Sequence, residues 1–331
     1  MIERAVAFGR DSNLIGILTE PDAKVAIAGA PALLMWNVGI QHRVGPYRVQ
    51  VDIARDLAAR GIVSLRFDLS GMGDSEAQQG THLDRNLAVA DAREAMSFLE
   101  KRRGIRRFIP LGFCSSVDSA HALALEDERV VGACFVEGYA YRIGPYWMRY
   151  PARLLNRNRW KRYITYRLNG QIPIGFRTLV VDPQKEERRA MGSVFARQYP
   201  SREQFASDVR QLSGRGVKML FVFVGGDTDF NHLGQLAETI GEPPLGAHSG
   251  VQAEYYADAD HTFFRVRDRE RAVRRIGAWA AATFHGSGEW PKAAPPPSSV
   301  SAIADAGPDG DASGTTLQEP LPYAATARQT H

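Results

Sequence analysis

The stretch RRFIPLGFCSS, residues 106–116, decides the fold of this chain. Its first seven residues form a short apolar run that predicts a buried β-strand, and residues 115–125 show a helical pattern. A sharp passage from strand to helix projects its central side chain outward and needs small residues two positions before and after it. Gly112 and Ser116 meet that requirement on either side of Cys114. The stretch therefore predicts a tight strand-to-helix turn with a cysteine at its apex.

Outward from this turn, strand and helix patterns alternate along the chain. Apolar runs predict a hairpin over residues 3–8 and 14–18, and further strands over 31–36, 62–67, 130–136, 217–224 and 251–255. Helical spacing of apolar residues predicts helices over 47–60, 83–102, 115–125 and 263–284. Strands that alternate with helices predict an α/β fold with a mostly parallel central sheet and helices on both faces.

The composition is that of an ordinary globular protein. Of 331 residues, 44% are apolar and 24% are charged, which excludes a fibrous or wholly disordered chain. A net charge of +4 is too small to indicate a nucleic-acid partner. Two cysteines cannot form a disulfide scaffold, and no apolar run has the length of a transmembrane span. We therefore expect a cytoplasmic protein without a transmembrane segment and without a nucleic-acid partner.

Two regions depart from this pattern. Residues 286–331 hold seven of the 18 prolines and predict a disordered tail, which leaves 1–285 as the folded domain. Residues from about 138 to 200 lie where a helical cap insertion over the carboxyl edge of the sheet is expected. Within them, residues 138–181 carry nine basic residues, no acidic one and many aromatic residues.

The chemistry-bearing residues follow the ends of predicted strands, which is where ligands bind in open α/β sheets. Cys114 would be the nucleophile, because the amino terminus of the following helix lowers the pKa of a thiol. His261 follows the strand over 251–255 and would act as the general base and acid. Asp227 follows the strand over 217–224 and would orient the histidine, with Asp229 as the alternative acid. The order nucleophile, acid, histidine is that of the α/β-hydrolases.

Two backbone N–H groups are candidates for an oxyanion hole. The first is that of Ser115, directly after the nucleophile, and the second is that of Ile40, after Gly39 in the loop that follows the strand over 31–36. Such chemistry requires no metal ion and no organic cofactor.

Residues 1–285 resemble the α/β-hydrolase superfamily and, within it, the exosortase A system-associated hydrolases and serine-aminopeptidase-like hydrolases. The stretch QHRVGPYR, residues 41–48, is similar to a Q-Y-R-V-G-x-H-R loop of that group. The stretch RFDLSGMGDS, residues 66–75, matches its R-F-D-x-x-G-M-G-D-S, and Gly112-Phe113-Cys114 is similar to its G-L-C elbow. The resemblance implies a triad of Cys114, His261 and Asp227. Asp68 and Asp74, within the second stretch, are expected to be structural.

The main hypothesis is a hydrolase that cleaves an ester or thioester acyl bond through an acyl-enzyme. The basic and aromatic cap favours a small acyl substrate that is anionic or is carried on coenzyme A or an acyl carrier protein. An acyltransferase or thioesterase of polysaccharide or natural-product biosynthesis is the first alternative. A non-catalytic binding protein that keeps the fold is the second.

Overall fold

A computed structural model describes residues 1–78, 84–141, 164, 197, 199–225, 231–241 and 250–284. The predicted tail and most of the predicted cap lie outside these residues, as do Asp227 and Asp229. All the described residues belong to one unit, Met1–Ala294.

The central sheet has eight strands in the order β1-β2-β4-β3-β5-β6-β7-β8. The strands are β1 (Ile2–Phe8), β2 (Leu14–Glu20), β3 (Ala32–Met35), β4 (Ser64–Phe67), β5 (Phe108–Phe113), β6 (Gly132–Val136), β7 (Lys218–Val224) and β8 (Val251–Tyr256). β2 runs antiparallel to both β1 and β4, whereas every pairing from β4 to β8 is parallel. The mostly parallel sheet predicted from the sequence is confirmed.

Six helices of the described residues flank the sheet: α1 (Val49–Ala59), α2 (Arg85–Arg103), α3 (Ser116–Glu126), α4 (Arg202–Gly214), α5 (Gln235–Ile240) and α6 (Val266–Phe284). Side chains alternate between the two faces of each strand, so the sheet divides the core into two clusters. Leu34 packs with α2, α3 and α4 on one face, whereas Leu33 packs with α1 and α6 on the other. Both leucines are fully buried, as expected for a parallel strand covered on both sides.

The structure shifts two of the predicted helix starts. α1 begins at Val49 because Tyr47 and Arg48 have positive φ angles of 47° and 68°. α6 begins at Val266 because the carboxylate of Asp260 accepts the N–H groups of Thr262 and Phe264 and holds a turn there. Helices α4 and α5 were not predicted.

The parallel arrangement brings the carboxyl ends of β3, β5, β6, β7 and β8 to one edge of the sheet. The residues predicted to carry chemistry follow four of these five strands. Among the described residues, no helix combines the length and apolarity needed to cross a bilayer.

The absence of a side chain at Gly112 should matter for stability. A Cβ there would lie 2.6 Å from Cα of Val117 and 2.9 Å from Cβ of Ala120, because α3 crosses β5 at close range. We expect Gly112→Ala to lower the free energy of unfolding by about 1–3 kcal/mol. Chemical denaturation measures this change.

Gly214→Ala is the matched control. Gly214 closes α4, and nothing lies within 4 Å of a Cβ placed there. Alanine should be neutral or stabilising by up to about 1 kcal/mol at that position. Equal effects of the two substitutions would contradict the close approach of α3 to β5.

Candidate active site

Cys114 occupies the apex of the turn between β5 and α3. Its φ angle is 51°, in the left-handed region that bulky residues avoid. The turn is held on both sides: the N–H of Cys114 donates to the carbonyl of Val136 on β6 (2.9 Å), and its own carbonyl accepts the N–H of Val117 (3.1 Å). Its strain is thus balanced by contacts with the neighbouring strand and with the helix that follows.

Ser116 stands at the second small position of the turn and is buried. Its hydroxyl accepts the N–H of Phe113 (2.8 Å) and lies 3.0 Å from the carbonyl of the same residue. A serine therefore fits this position because its short side chain folds back onto the end of β5. The hydroxyl satisfies backbone groups that the turn leaves without a sheet partner.

His261 lies in the turn between β8 and α6, which is shaped by its neighbours. Asp260 accepts the N–H of Thr262 (2.9 Å), and Phe263 has a φ angle of 52° and is buried. The His261 ring lies 6.1 Å from the ring of Phe113, edge to face. The histidine is thereby held beside the nucleophile turn, where it hydrogen-bonds the thiol of Cys114.

Among the described residues, the carboxylate of Glu137, directly after β6, faces His261. Its Oε2 lies 3.0 Å from Nδ1 of His261. Its Oε1 accepts the N–H of Val224 at the end of β7 (2.6 Å) and the side-chain amide of Asn231 (2.9 Å). The Glu137 side chain is 3% exposed, so its charge is shielded from water and is satisfied by three donors. Because Nδ1 faces Glu137, Nε2 is the nitrogen that serves Cys114.

The charges of this set favour a thiolate and an imidazolium. Burial raises the pKa of the Cys114 thiol, but the His261 hydrogen bond and charge, the Arg197 charge and the Ser115 N–H outweigh it and leave that pKa below its ordinary value. Hydrogen bonds to Cys114 and Glu137 raise the pKa of His261 to about 10. Cys134, the other cysteine, is fully buried on β6, and burial raises its pKa. Cys114 is therefore the thiol that ionises more readily, and Cys134 the one that ionises less readily.

The loop after β3 is fastened to the nucleophile turn. The N–H of Gly39 donates to the Ser115 hydroxyl (2.8 Å), and Trp36 donates through its indole nitrogen to Ser119 on α3 (3.0 Å). Ile40 follows Gly39 and is 78% exposed. This loop therefore borders the turn, as the oxyanion prediction for Ile40 and Ser115 requires.

The RFDLSGMGDS stretch forms a polar scaffold behind that loop. Asp68 is fully buried and accepts the backbone N–H of Arg43 (2.7 Å) and the side-chain amide of Asn37 (3.2 Å). The guanidinium of Arg43 pairs with both Asp68 and Asp74. Both carboxylates are engaged in hydrogen bonds and ion pairs with the loop that they hold, in agreement with the structural role expected for them.

The structure brings together Cys114, His261 and Ser115, with the Ile40 loop beside them, but Asp227 and Asp229 lie outside the described residues. Glu137 was missed by the sequence analysis. The available signal was a single carboxylate at the carboxyl end of a buried apolar strand, Phe135-Val136-Glu137. Tyr139 and Tyr141, two aromatic residues at the start of the predicted cap, pack on Phe205 of α4.

The described residues contain no group of three or more histidine, cysteine or acidic side chains suited to a metal ion. The arrangement that they do contain is a cysteine, a histidine and a glutamate joined by hydrogen bonds. That arrangement suits acyl transfer to sulfur.

Comparison with solved structures identifies the architecture. An esterase of Pyrococcus furiosus matches with a TM-score of 0.52 and 13% identity, over 86% of this chain and 91% of that one. The α/β hydrolase GrgF from Penicillium sp. sh18 matches with a TM-score of 0.53 and 17% identity, over 86% of this chain and 100% of that one. The fold is that of the α/β-hydrolases.

A hypothetical protein, PA2218 of Pseudomonas aeruginosa, shares the same fold with a TM-score of 0.51 and 16% identity, over 85% of this chain and 93% of that one. No protein-family model and no curated protein matches the sequence. At these identities the likeness concerns the fold alone.

The charge pair predicts how Cys114 reacts with pH. Its thiolate should persist to lower pH than that of a free cysteine, because the pKa of Cys114 is lowered. The imidazolium partner should persist up to about pH 10. Alkylation by iodoacetamide, followed at the Cys114 peptide by mass spectrometry, should therefore have its midpoint below that of a free thiol.

His261→Ala is the control for this titration. Without the imidazolium, the alkylation midpoint should rise toward or above that of a free cysteine, because the burial of Cys114 is then opposed by fewer charges. An unchanged midpoint in this variant would contradict the pairing of the two side chains.

Proposed function

We propose that the protein is a hydrolase of ester or thioester acyl bonds, with Cys114 as nucleophile, His261 as general acid and base, and Glu137 as the orienting acid. The observation that carries the proposal is the chain of hydrogen bonds from Cys114 through His261 to Glu137. Val224 and Asn231 already hold the buried Glu137 carboxylate through Oε1. Its contact with a histidine beside a strained cysteine is therefore not needed to hold the carboxylate in place. Strain and buried charge of this kind are typical of catalytic sites.

In the proposed reaction, Sγ of Cys114 attacks the acyl carbon and forms a carbon–sulfur bond. The backbone N–H groups of Ser115 and Ile40 would receive the developing oxyanion. We assign Ile40 rather than Gly39 because the N–H of Gly39 already donates to the Ser115 hydroxyl.

The second half of the reaction regenerates the thiolate. The bond to the leaving group breaks, and His261 gives its proton to the departing oxygen or sulfur. Water then attacks the acyl-enzyme while His261 accepts a proton, and the carboxylic acid leaves. Glu137 stabilises the imidazolium at each stage and holds its tautomer. A thioester substrate suits this site, because exchange between two sulfur leaving groups costs little energy.

Glu137 takes the role that the sequence analysis gave to Asp227. We expect Glu137→Gln to lower kcat/KM by about 10²–10⁴-fold, because an amide cannot stabilise the imidazolium. Hydrolysis of p-nitrophenyl butyrate and of butyryl-coenzyme A measures the effect. Asp227→Asn and Asp229→Asn are the matched controls and should retain activity. Loss of activity in Asp227→Asn together with a silent Glu137→Gln would return the role to Asp227.

Cys114→Ala separates an enzyme from a binding protein of the same fold. We expect it to reduce hydrolysis of both substrates to the background rate and to abolish labelling by a fluorophosphonate or thiol-directed probe. Cys134→Ala is the control, because Cys134 is fully buried within the sheet and should not be labelled. Hydrolysis that survives in Cys114→Ala would overturn the proposed nucleophile.

A further inference from the structure

Arg197 is a buried cation beside the candidate site that the proposed reaction does not use. Its guanidinium reaches two elements of that site at once. Nη2 donates to the carboxylate of Asp118 in the first turn of α3 (2.8 Å), and Nη1 donates to the carbonyls of Glu137 (3.4 Å) and Gly138 (3.2 Å). Only 16% of its side chain is exposed.

Two aromatic rings enclose the same guanidinium. Its central carbon lies 4.6 Å from the centroid of the Tyr199 ring and 5.3 Å from that of Tyr139. Such contacts stabilise a cation and exclude water from it. A charge held in a medium of low dielectric constant acts on its neighbours more strongly than an exposed one does.

We propose that Arg197 is a positioning residue of the Cys114 site, whose buried charge stabilises the thiolate and whose hydrogen bonds hold the strained turn at Glu137. This inference rests on the proposed function, since it assigns Arg197 a role only if Cys114 reacts as a thiolate.

The electrostatic part follows from the groups that face Cys114. His261 contributes a positive charge from the turn before α6, and Ser115 contributes an N–H from α3. Asp118, also on α3, would repel a thiolate, but its carboxylate is paired with Arg197. The charge of Arg197 lowers the pKa of Cys114, alongside the larger effect of His261. Loss of Arg197 would remove its attraction for the Cys114 thiolate. It would also remove the charge that offsets the repulsion of this thiolate by Asp118.

The geometric part concerns the backbone of Glu137. Its φ angle of 54° is unfavourable for a side chain of this size. Its N–H donates to the carbonyl of Val222 (2.8 Å), and its carbonyl accepts from Arg197. The guanidinium therefore helps to hold in place the residue that orients His261.

The test is the pH dependence of Cys114 alkylation by iodoacetamide, measured on the full chain by peptide mass spectrometry. In Arg197→Gln we expect the midpoint to rise by about one pH unit, so that alkylation at a fixed pH below both midpoints slows about tenfold. Arg197→Lys keeps a charge but not the planar fork and should recover part of the shift. A role in folding alone would lower the thermal midpoint without moving the titration.

Arg215→Gln is the matched control. Arg215 also donates to backbone carbonyls of α3, those of Ala124 and Leu125, but at the far end of the helix. Its loss should leave the alkylation midpoint of Cys114 unchanged. If Arg197→Gln fails to fold because the buried Asp118 loses this ion pair, the double variant Arg197→Gln with Asp118→Asn removes that penalty. The double variant should show a smaller rise of the midpoint than Arg197→Gln, because it loses the attraction of Arg197 and also the repulsion of Asp118.

The outcomes separate this inference from the function on which it rests. A low midpoint in the wild-type protein that is unchanged in Arg197→Gln, or in the double variant, would overturn the role of Arg197 alone. A wild-type midpoint at the ordinary value of a free thiol would instead overturn the thiolate and the proposed function with it.

Discussion

The strained turn at Cys114 is the constraint on which the rest of the site depends. A cysteine with a φ angle of 51° is tolerated only because the surroundings over-determine it. Gly112 lets α3 cross β5 at van der Waals distance, and Ser116 folds its hydroxyl onto the backbone of Phe113. Val136 on the adjacent strand accepts the N–H of Cys114. The same contacts that maintain the turn also aim the thiol at His261.

Backbone strain recurs around this centre. Cys114, Glu137 and Phe263 all have positive φ angles between 51° and 54°, and each lies just after a strand of the parallel sheet or in the turn that follows it. Each of these turns changes the direction of the chain abruptly. They bring the side chains of Cys114, Glu137 and His261 to the same edge of the sheet. The stability needed to hold them comes from the core on both faces, where the central strands are fully buried.

The electrostatics depend on burial as much as on distance. Glu137 is shielded from water yet receives hydrogen bonds from Val224, Asn231 and His261, so its charge is directed at the histidine. The imidazolium then faces the thiol, and the positive charge of Arg197 reinforces it. Three strand ends contribute to this set, from β5, β6 and the turn after β8, and Arg197 joins it from the chain before α4. The carboxylates of the RFDLSGMGDS stretch, by contrast, are satisfied within their own loop.

Much of this could be predicted from local pattern. The period of apolar residues gave the strands and most of the helices, and the small residues around Cys114 gave the turn, because both depend on neighbours in sequence. Helix α5 has only six residues, and α4 begins directly after the region expected to be a cap, so neither stood out. The start of α1 was displaced by the positive φ angles of Tyr47 and Arg48, and that of α6 by hydrogen bonds to the Asp260 carboxylate, and periodicity reports neither.

The sequence by itself determined the α/β architecture, the nucleophile turn at Cys114 and the candidacy of His261. Only the tertiary structure showed that Glu137 faces that histidine. Glu137 and Asp227 both follow strands of the same parallel sheet, so strand order and spacing alone do not single out Glu137. Its placement comes from its positive φ angle and from the N–H of Val224, which together turn its carboxylate across the edge of the sheet toward Nδ1 of His261. Those are contacts between residues about 90 and 120 positions apart, which a linear pattern does not encode.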